Sequence, residues 1–433
     1  MAEIRPLRAW RYNAALEKHI GDLTSPLFDV VSDRQRQALY HQPFNSIHLS
    51  VPRGPEPAVS ARELLQQWKQ SGVLVQDRIP GIYVYYQYFK LPGDARSWCR
   101  KGFMCHIRTY DWSDNVILRH ENTIPRSVND RIDLLRKTQL HVSATHGLYT
   151  DPEFQLEHWM DEAIAFPVLE TEDYQGVRDV LAVIQDAQVI DRFLAVIRSK
   201  QIILADGHHR YESSLVLKHE MQAANPNHTG EEGYNFHLMY LTNTEADDLK
   251  ILPTHRLISG LPHLPEAAIV NSLKTDFEIK QVEDPENITE IIAGKKWAFG
   301  LLFRDSAYKI RLRPDVFATL RWHFPPEVKA LDLTVLHYFI IEKALGIAGK
   351  DQRASAHIHF DRSFSDCLAK VIRAEAQMAI ITQEVTIEEI RQVCASGATM
   401  PQKSTYFYPK VICGFLFSSI QQDEFETPAY SRF

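Results

Sequence analysis

The chain has 433 residues, 45 % apolar and 24 % charged, with a formal net charge of −7. That length allows two or three domains with a large core, and the composition is that of an ordinary globular protein. No block of lysine and arginine stands out and no apolar run approaches the ~20 residues of a membrane span, so neither nucleic acid nor membrane is an expected partner.

Residues 1–50 are broken by Pro6, Pro26 and Pro43 and hold one short helix over 33–40. A helix over 60–70 follows, with Ser60 and Glu63 at capping-box spacing, Leu64, Leu65 and Trp68 as its stripe, and Gly72 to end it. Residues 82–91 read as a strand. Gly93-Asp94 supplies a turn and 102–109 returns, which makes a hairpin. Residues 115–119 give another strand, ending at His120-Glu121-Asn122-Thr123, and 128–139 a helix. Helices are expected over 177–185 and 190–198. The apolar strand 202–205 then runs into Asp206-Gly207-His208-His209-Arg210, and 211–221 continues as a helix.

Residues 225–233 read as an exposed loop and 237–242 as a strand. Gly260, Pro262 and Pro265 place a boundary near 260. Beyond it come a hairpin of 297–303 with 307–313 and a helix over 333–345. Thr386 and Glu389 form a second capping box, for a helix closed by Gly397. An aromatic-rich edge strand leads into 411–417. The chain is mixed α/β, with expected domains 1–114, 115–260 and 261–433. Its five scattered cysteines never form Cys-x-x-Cys and read as reduced thiols. With no signal-peptide core at the start, the expected location is the cytoplasm.

Chemistry concentrates at residues 206–210. One reading is a turn whose polar groups are satisfied locally. Another is a metal site, although histidines at i and i+1 rarely converge on one ion. The reading that uses every residue is a phosphate-binding strand-turn-helix. There Gly207 permits close backbone approach, Arg210 grips phosphate, and Asp206 holds a magnesium ion or a substrate hydroxyl.

Glu121 reads either as a solvated charge entering a helix or, if the fold brings it to Asp206, as a general base for phosphoryl transfer. Lys403-Ser404-Thr405 lacks the glycines of a P-loop, yet a lysine and two hydroxyls can hold a phosphate group. His255 and Arg256, in Pro253-Thr254-His255-Arg256, are weaker substrate-binding candidates. His357-Ile358-His359 alternates as a strand and is read as structural.

Taken together, Ile4-Arg5-Pro6-Leu7-Arg8-Ala9, His120-Glu121-Asn122-Thr123, 205–211, 252–256 and 400–410 resemble a bacterial and archaeal family, domain of unknown function 1015, over nearly the whole chain. One departure is Ser25-Pro26-Leu27-Phe28-Asp29, where that family has Pro-Pro-Tyr-Asp, so Phe28 cannot supply a tyrosine hydroxyl. The order of the two central motifs also resembles the ParB and sulfiredoxin superfamily, whose corresponding turn binds nucleotide phosphates, and its free serine kinases. The resemblance implies a ParB-like core flanked by N- and C-terminal domains. It makes Glu121 the base toward an acceptor hydroxyl, with Asp206 orienting the acceptor or a magnesium ion. His208, His209 and Arg210 would hold the transferred phosphoryl, with His120 and Thr123 as flanking substrate contacts.

The implied function is a small-molecule phosphotransferase interconverting serine and phosphoserine, with ADP, ATP or pyrophosphate as phosphoryl partner. A phosphoserine hydrolase and a non-catalytic nucleotide-sensing module are the alternatives. The sequence sets neither the acceptor nor the oligomeric state.

Overall fold

The computed structural model describes residues 1–91, 94–123, 125–262, 265–401 and 403–425. The turn expected at Gly93 lies outside them, as does Gln402. The chain divides into two compact units, one of residues 1–119, 123–249 and 409–433, the other of 120–122 and 250–408. This differs from cuts near 114 and 260. The first hundred residues contribute strands to the same sheet as the middle of the chain, residues 261–408 lie in the second unit, and the last residues rejoin the first unit.

The first unit carries β1 (Ile4–Arg5), α1 (Pro57–Gln70), β2 (Ile82–Lys90), β3 (Ser97–Arg108), β4 (Ile117–Arg119), α2 (Pro125–Thr138), β5 (Thr145–Tyr149), β6 (Leu169–Glu172), β7 (Arg178–Ile184), α3 (Ala187–Arg198), β8 (Ile202–Asp206), α4 (His208–Ala224) and β9 (Phe236–Asn243). Among the described residues nine strands form one sheet in the order β4-β8-β5-β9-β3-β2-β7-β6, with β1 on β3. β8 runs parallel to β4 and β5 parallel to β9, while the other pairs are antiparallel.

Both faces of this sheet are covered. On one, Phe193, Ile190 and Ile197 of α3 pack with Tyr211 and Leu215 of α4. On the other, Tyr12, Trp68 and Leu65 pack with Val411, Phe415 and Phe417 from the chain end.

Two local expectations change. Residues 177–185 are strand β7, not a helix. Val180 to Ala182 are buried on both faces between β2 and β6, so the run shows no alternation and its continuous apolar stretch mimics a helix. Helix α1 starts at Pro57, with Ser60 already inside it, because proline presets the helical φ at the first position. The stretch 411–417 makes only the bridges Ser25–Cys413 and Trp10–Phe417 rather than a continuous strand. Gly414 interrupts it at φ +106°.

The second unit holds β10 (Lys250–Ile251), β11 (His255–Ile258), β12 (Phe277–Val282), β13 (Ala298–Leu302), β14 (Ala307–Leu312), β15 (Ile358–Asp361), β16 (Met378–Ile381) and β17 (Phe407–Tyr408). Its antiparallel sheet runs β12-β14-β13-β16-β11-β15, and the expected hairpin is the β13–β14 pair. β10 pairs with β17. The capping box at Thr386 and Glu389 is present. Residues 333–345 are helical, but Leu336–Ala344 is wound as a π-helix.

Candidate functional site

Strand β8 delivers Asp206 to the mouth of a turn on Gly207, and α4 begins at His208. Gly207 sits at φ +91°, and a Cβ there would lie 2.6 Å from Thr145 Cγ2 and 2.8 Å from Arg210 Nη2. Only glycine fits both the backbone and the space. Thr145 cannot yield, since its hydroxyl is bonded to His237 Nε2 at 2.9 Å and His237 Nδ1 is bonded to Ser214 of α4 at 2.8 Å. Gly207→Ala is therefore expected to cost roughly 2–4 kcal/mol, left-handed strain plus overpacking. Urea denaturation checks this, and a loss below about 0.5 kcal/mol would contradict the packing described.

The Asp206 carboxylate is held between two cations. Oδ1 accepts from the Lys410 ammonium, and Oδ2 from Arg210 Nη2 at 2.9 Å. Burial alone would push this carboxyl up. The Lys410 and Arg210 charges outweigh it and hold the group well below the usual carboxylate range. Arg210 Nη1 donates to Ser143 Oγ at 2.9 Å and to the Ala144 carbonyl at 2.6 Å. Its two Nη groups are thus engaged in shaping the turn, and Nε is left without an acceptor among the described residues. His208 is buried and His209 half-buried on the first turn of α4.

A resident magnesium ion does not fit this arrangement. Both Asp206 oxygens already face cations, and among the described residues no three His, Cys, Asp or Glu side chains cluster as metal ligands.

Beside Arg210 lies a cavity of about 50 Å³, bordered by Phe28, Ser50, Arg131, His141, Ser143 and Cys413. Since ~10–15 Å³ suffices to hold one water, this space is large enough to be hydrated. Phe28, the position where the resemblance expects tyrosine, puts an apolar ring in its wall, with the Arg131 guanidinium 4.4 Å from the ring centre.

Across the sheet, Asp206 begins a row of polar side chains on one face. It pairs in register with His146, His146 with Tyr240, Arg100 with Gln87, and Gln87 with Asp179. Arg100 joins the row through Met104, which lies opposite Tyr240 four residues along β3. Burial, with the Arg100 charge next, keeps His146 neutral. Gln87 Nε2 donates to Asp179 Oδ1 at 2.8 Å and to the Lys410 carbonyl at 3.0 Å, so it links the row to the segment that brings Lys410.

Burial pushes the Asp179 carboxyl up to about 7, against the lowering effect of hydrogen bonds from Tyr85 and Gln87. The folded state therefore holds this proton between the unfolded value near ~3.9 and about 7. Its contribution to stability is present at low pH and is lost as pH rises through 7. Asp179→Asn keeps the acceptor and stays neutral. Its melting temperature should match that of the wild type at or below about pH 4 and exceed it by a growing margin up to pH 8. A difference that does not vary with pH would refute the assignment.

The second unit gathers the remaining motifs among themselves. Glu121 Oε1 accepts the Lys403 backbone N–H at 2.9 Å, and His120 Nε2 lies 2.8 Å from Thr405 Oγ1. The Met400 N–H donates to the His120 carbonyl at 2.8 Å. Lys403 adopts φ +57°, a left-handed conformation that costs a lysine about 1–2 kcal/mol and marks a constrained loop. Ser404 donates to the Pro401 carbonyl.

Arg256 is fully buried and braces this loop. It donates to the carbonyls of Thr254 and Lys403, and burial lowers its pKa to about 9. His255 Nδ1 accepts the Thr382 N–H at 3.2 Å, and burial lowers its pKa to about 4. Arg256 thus supports the loop that orients Glu121, and His255 is held against Thr382. Thr123 belongs to the first unit. His357 and His359 both bond to Ser259, by ring nitrogens at 3.0 Å and 2.9 Å.

The structure thus brings Glu121, His120, Lys403 and Thr405 together, and separately Asp206, Gly207, Arg210 and Lys410. Sequence reasoning missed Lys410, the partner of Asp206, along with Arg100, Gln87 and His146. Lys410 closes the Tyr-Pro-Lys end of the 400–410 motif, the one available signal. The others sit singly in strands and become visible only through register.

Comparison with curated proteins returns no match. Among solved structures, a free serine kinase mutant in complex with AMP is similar over 75 % of this chain and 93 % of its own, at 12 % identity and TM-score 0.38. A conserved hypothetical protein from Pyrococcus furiosus covers 75 % and 97 % at 12 % identity and TM-score 0.35. SbnI from Staphylococcus aureus, with a C-terminal truncation, covers 73 % and 82 % at 12 % identity and TM-score 0.32. A model of the family described as "Protein of unknown function (DUF1015)" matches residues 4–334, and the chain belongs to that family.

Proposed function

We propose that this protein is a small-molecule phosphotransferase that interconverts serine and phosphoserine, with a nucleotide or pyrophosphate as phosphoryl partner. The observation that carries the reading is the Asp206 turn: a glycine-opened helix start with two cations, Lys410 and Arg210, on one buried carboxylate. Three fixed charges with a positive sum, at the N-terminus of α4 where N–H dipoles add further positive potential, suit a phosphate. His208 and His209 are assigned to the transferred phosphoryl, together with the Gly207 backbone, and Arg210, whose Nη groups hold the turn, contributes its charge.

Glu121 is assigned the base that takes the acceptor hydroxyl proton. Its carboxylate is oriented by the Lys403 N–H, so Lys403, Ser404 and Thr405 support it through their loop. Magnesium enters with the nucleotide, as part of the substrate. The serine acceptor rests on the sequence resemblance alone.

The test is to incubate the purified chain with serine and, in turn, magnesium ADP, magnesium ATP and pyrophosphate, and to follow phosphoserine by mass spectrometry. Phosphoserine with one of these donors is the expected result. Free phosphate released from phosphoserine with no acceptor present would favour the hydrolase. Tight nucleotide binding with no turnover on any acceptor would favour the sensing module.

A further inference from the structure

The row of polar side chains contains a cation, Arg100, that the turn does not use. Arg100, on β3, is 1 % exposed. Its Nη2 donates to Gln87 Oε1, and neither Nε nor Nη1 has an acceptor among the described residues. Three of its five N–H groups are therefore unanswered.

Its position is built, not accidental. Gln87 spends its own N–H groups on Asp179 and on the Lys410 carbonyl, which turns its oxygen toward the guanidinium. The Tyr240 ring lies beneath, 5.5 Å from the guanidinium carbon.

The electrostatics point the same way. An isolated buried charge is among the costliest features a fold can hold, and arginine cannot escape by losing its proton. Asp179 and Asp248 both feel the Arg100 charge, but neither stands within ion-pair distance of it. Burial pushes their carboxyls up to about 7 and about 6. Among the described residues no carboxylate forms an ion pair with Arg100, and Asp206 already pairs with Lys410 and Arg210. A water can satisfy an N–H but cannot supply the missing counter-charge. An anion does both, and a guanidinium held in place by an amide is the form in which proteins grip carboxylate and phosphate.

We propose that Arg100 anchors a second oxyanion site, distinct from the Asp206 turn, that takes the carboxylate or phosphate group of a small molecule. The site does not depend on phosphoryl transfer. It requires an oxyanion only, so it can stand if the catalytic reading fails.

Thermal melts with inorganic phosphate and, separately, with acetate test it on the full chain. One of the two anions at millimolar concentration should raise the wild-type melting temperature by several degrees, and Arg100→Met should lose at least half of that rise. A rise with phosphate alone identifies a phosphoryl group as the occupant, and one with acetate alone a carboxylate. Without anion, Arg100→Met should melt at or above the wild type, since an unpaired buried charge has been replaced by an apolar chain.

A variant that melts far below the wild type without anion would show the guanidinium to be structural and overturn the proposal. No anion-dependent rise, or the same rise in the variant, would also overturn it. Arg100→Lys decides the case if the methionine variant does not fold. It keeps the cation but not the fork, and should bind the same anion about tenfold more weakly. Unchanged affinity would overturn the site.

Discussion

Asp206→Asn is expected to destabilise the chain by roughly 3–5 kcal/mol, because it removes the carboxylate that the Lys410 ammonium and the Arg210 guanidinium share. The three side chains are between 10 % and 14 % exposed, so solvent screening offers little relief. Lys410→Met in the same background should recover part of the loss, since one of the stranded charges is then gone. A double-mutant cycle in urea measures the Asp206–Lys410 coupling, expected at about 2 kcal/mol or more, and a coupling near zero would refute the buried triad.

The pair also joins residues 204 apart, so it fastens the chain end onto the sheet. Because the Asp206 pKa is depressed, its stabilisation is present above the ordinary carboxylate range. It is lost only as pH falls below that range.

Glu121→Gln is expected to lower kcat for phosphoserine formation by about 10²–10⁴-fold, the usual worth of a general base. Glutamine still accepts the Lys403 N–H, so the loop and the melting temperature should be unchanged. Nucleotide affinity should also be unchanged, because the base acts on the acceptor hydroxyl. The signature is therefore a loss in kcat without a matching loss in binding. Full activity in the variant would remove Glu121 from the mechanism. A fall in melting temperature of several degrees would instead mark it as a support of the loop.

Much of the turn is legible in the sequence. Four apolar residues followed by Asp-Gly-His-His-Arg can hardly be anything but a strand entering a helix, and β8, Gly207 and α4 follow that reading. The roles within it are less legible. Arg210 looks like a phosphate grip in sequence, yet its Nη groups close on Asp206, Ser143 and Ala144. No local pattern could name Lys410 as the partner, since the contact depends on how the chain end folds back.

The misread helix at β7 has the same origin. A strand buried on both faces loses the alternation that identifies strands, and only its ladder with β2 decides the matter. Arg100 and Gln87 are ordinary strand residues in sequence and meet because two strands pair in one register. The cut near 114 differs for a related reason: composition marks the proline- and glycine-rich stretch near 260, close to where the second unit begins, but no signal says that residues 4–108 share a sheet with β8.

The central claim is that the turn at Asp206 seats phosphates, and calorimetric titration of ADP into the wild type and into the Asp206→Asn/Lys410→Met double variant tests it most directly. The double variant removes one anion and one cation, leaving the net charge of the region unchanged while abolishing the arrangement. Binding to the wild type is predicted, with at least a tenfold loss, about 1.4 kcal/mol, in a double variant that remains folded. Equal affinity in the two proteins would contradict it.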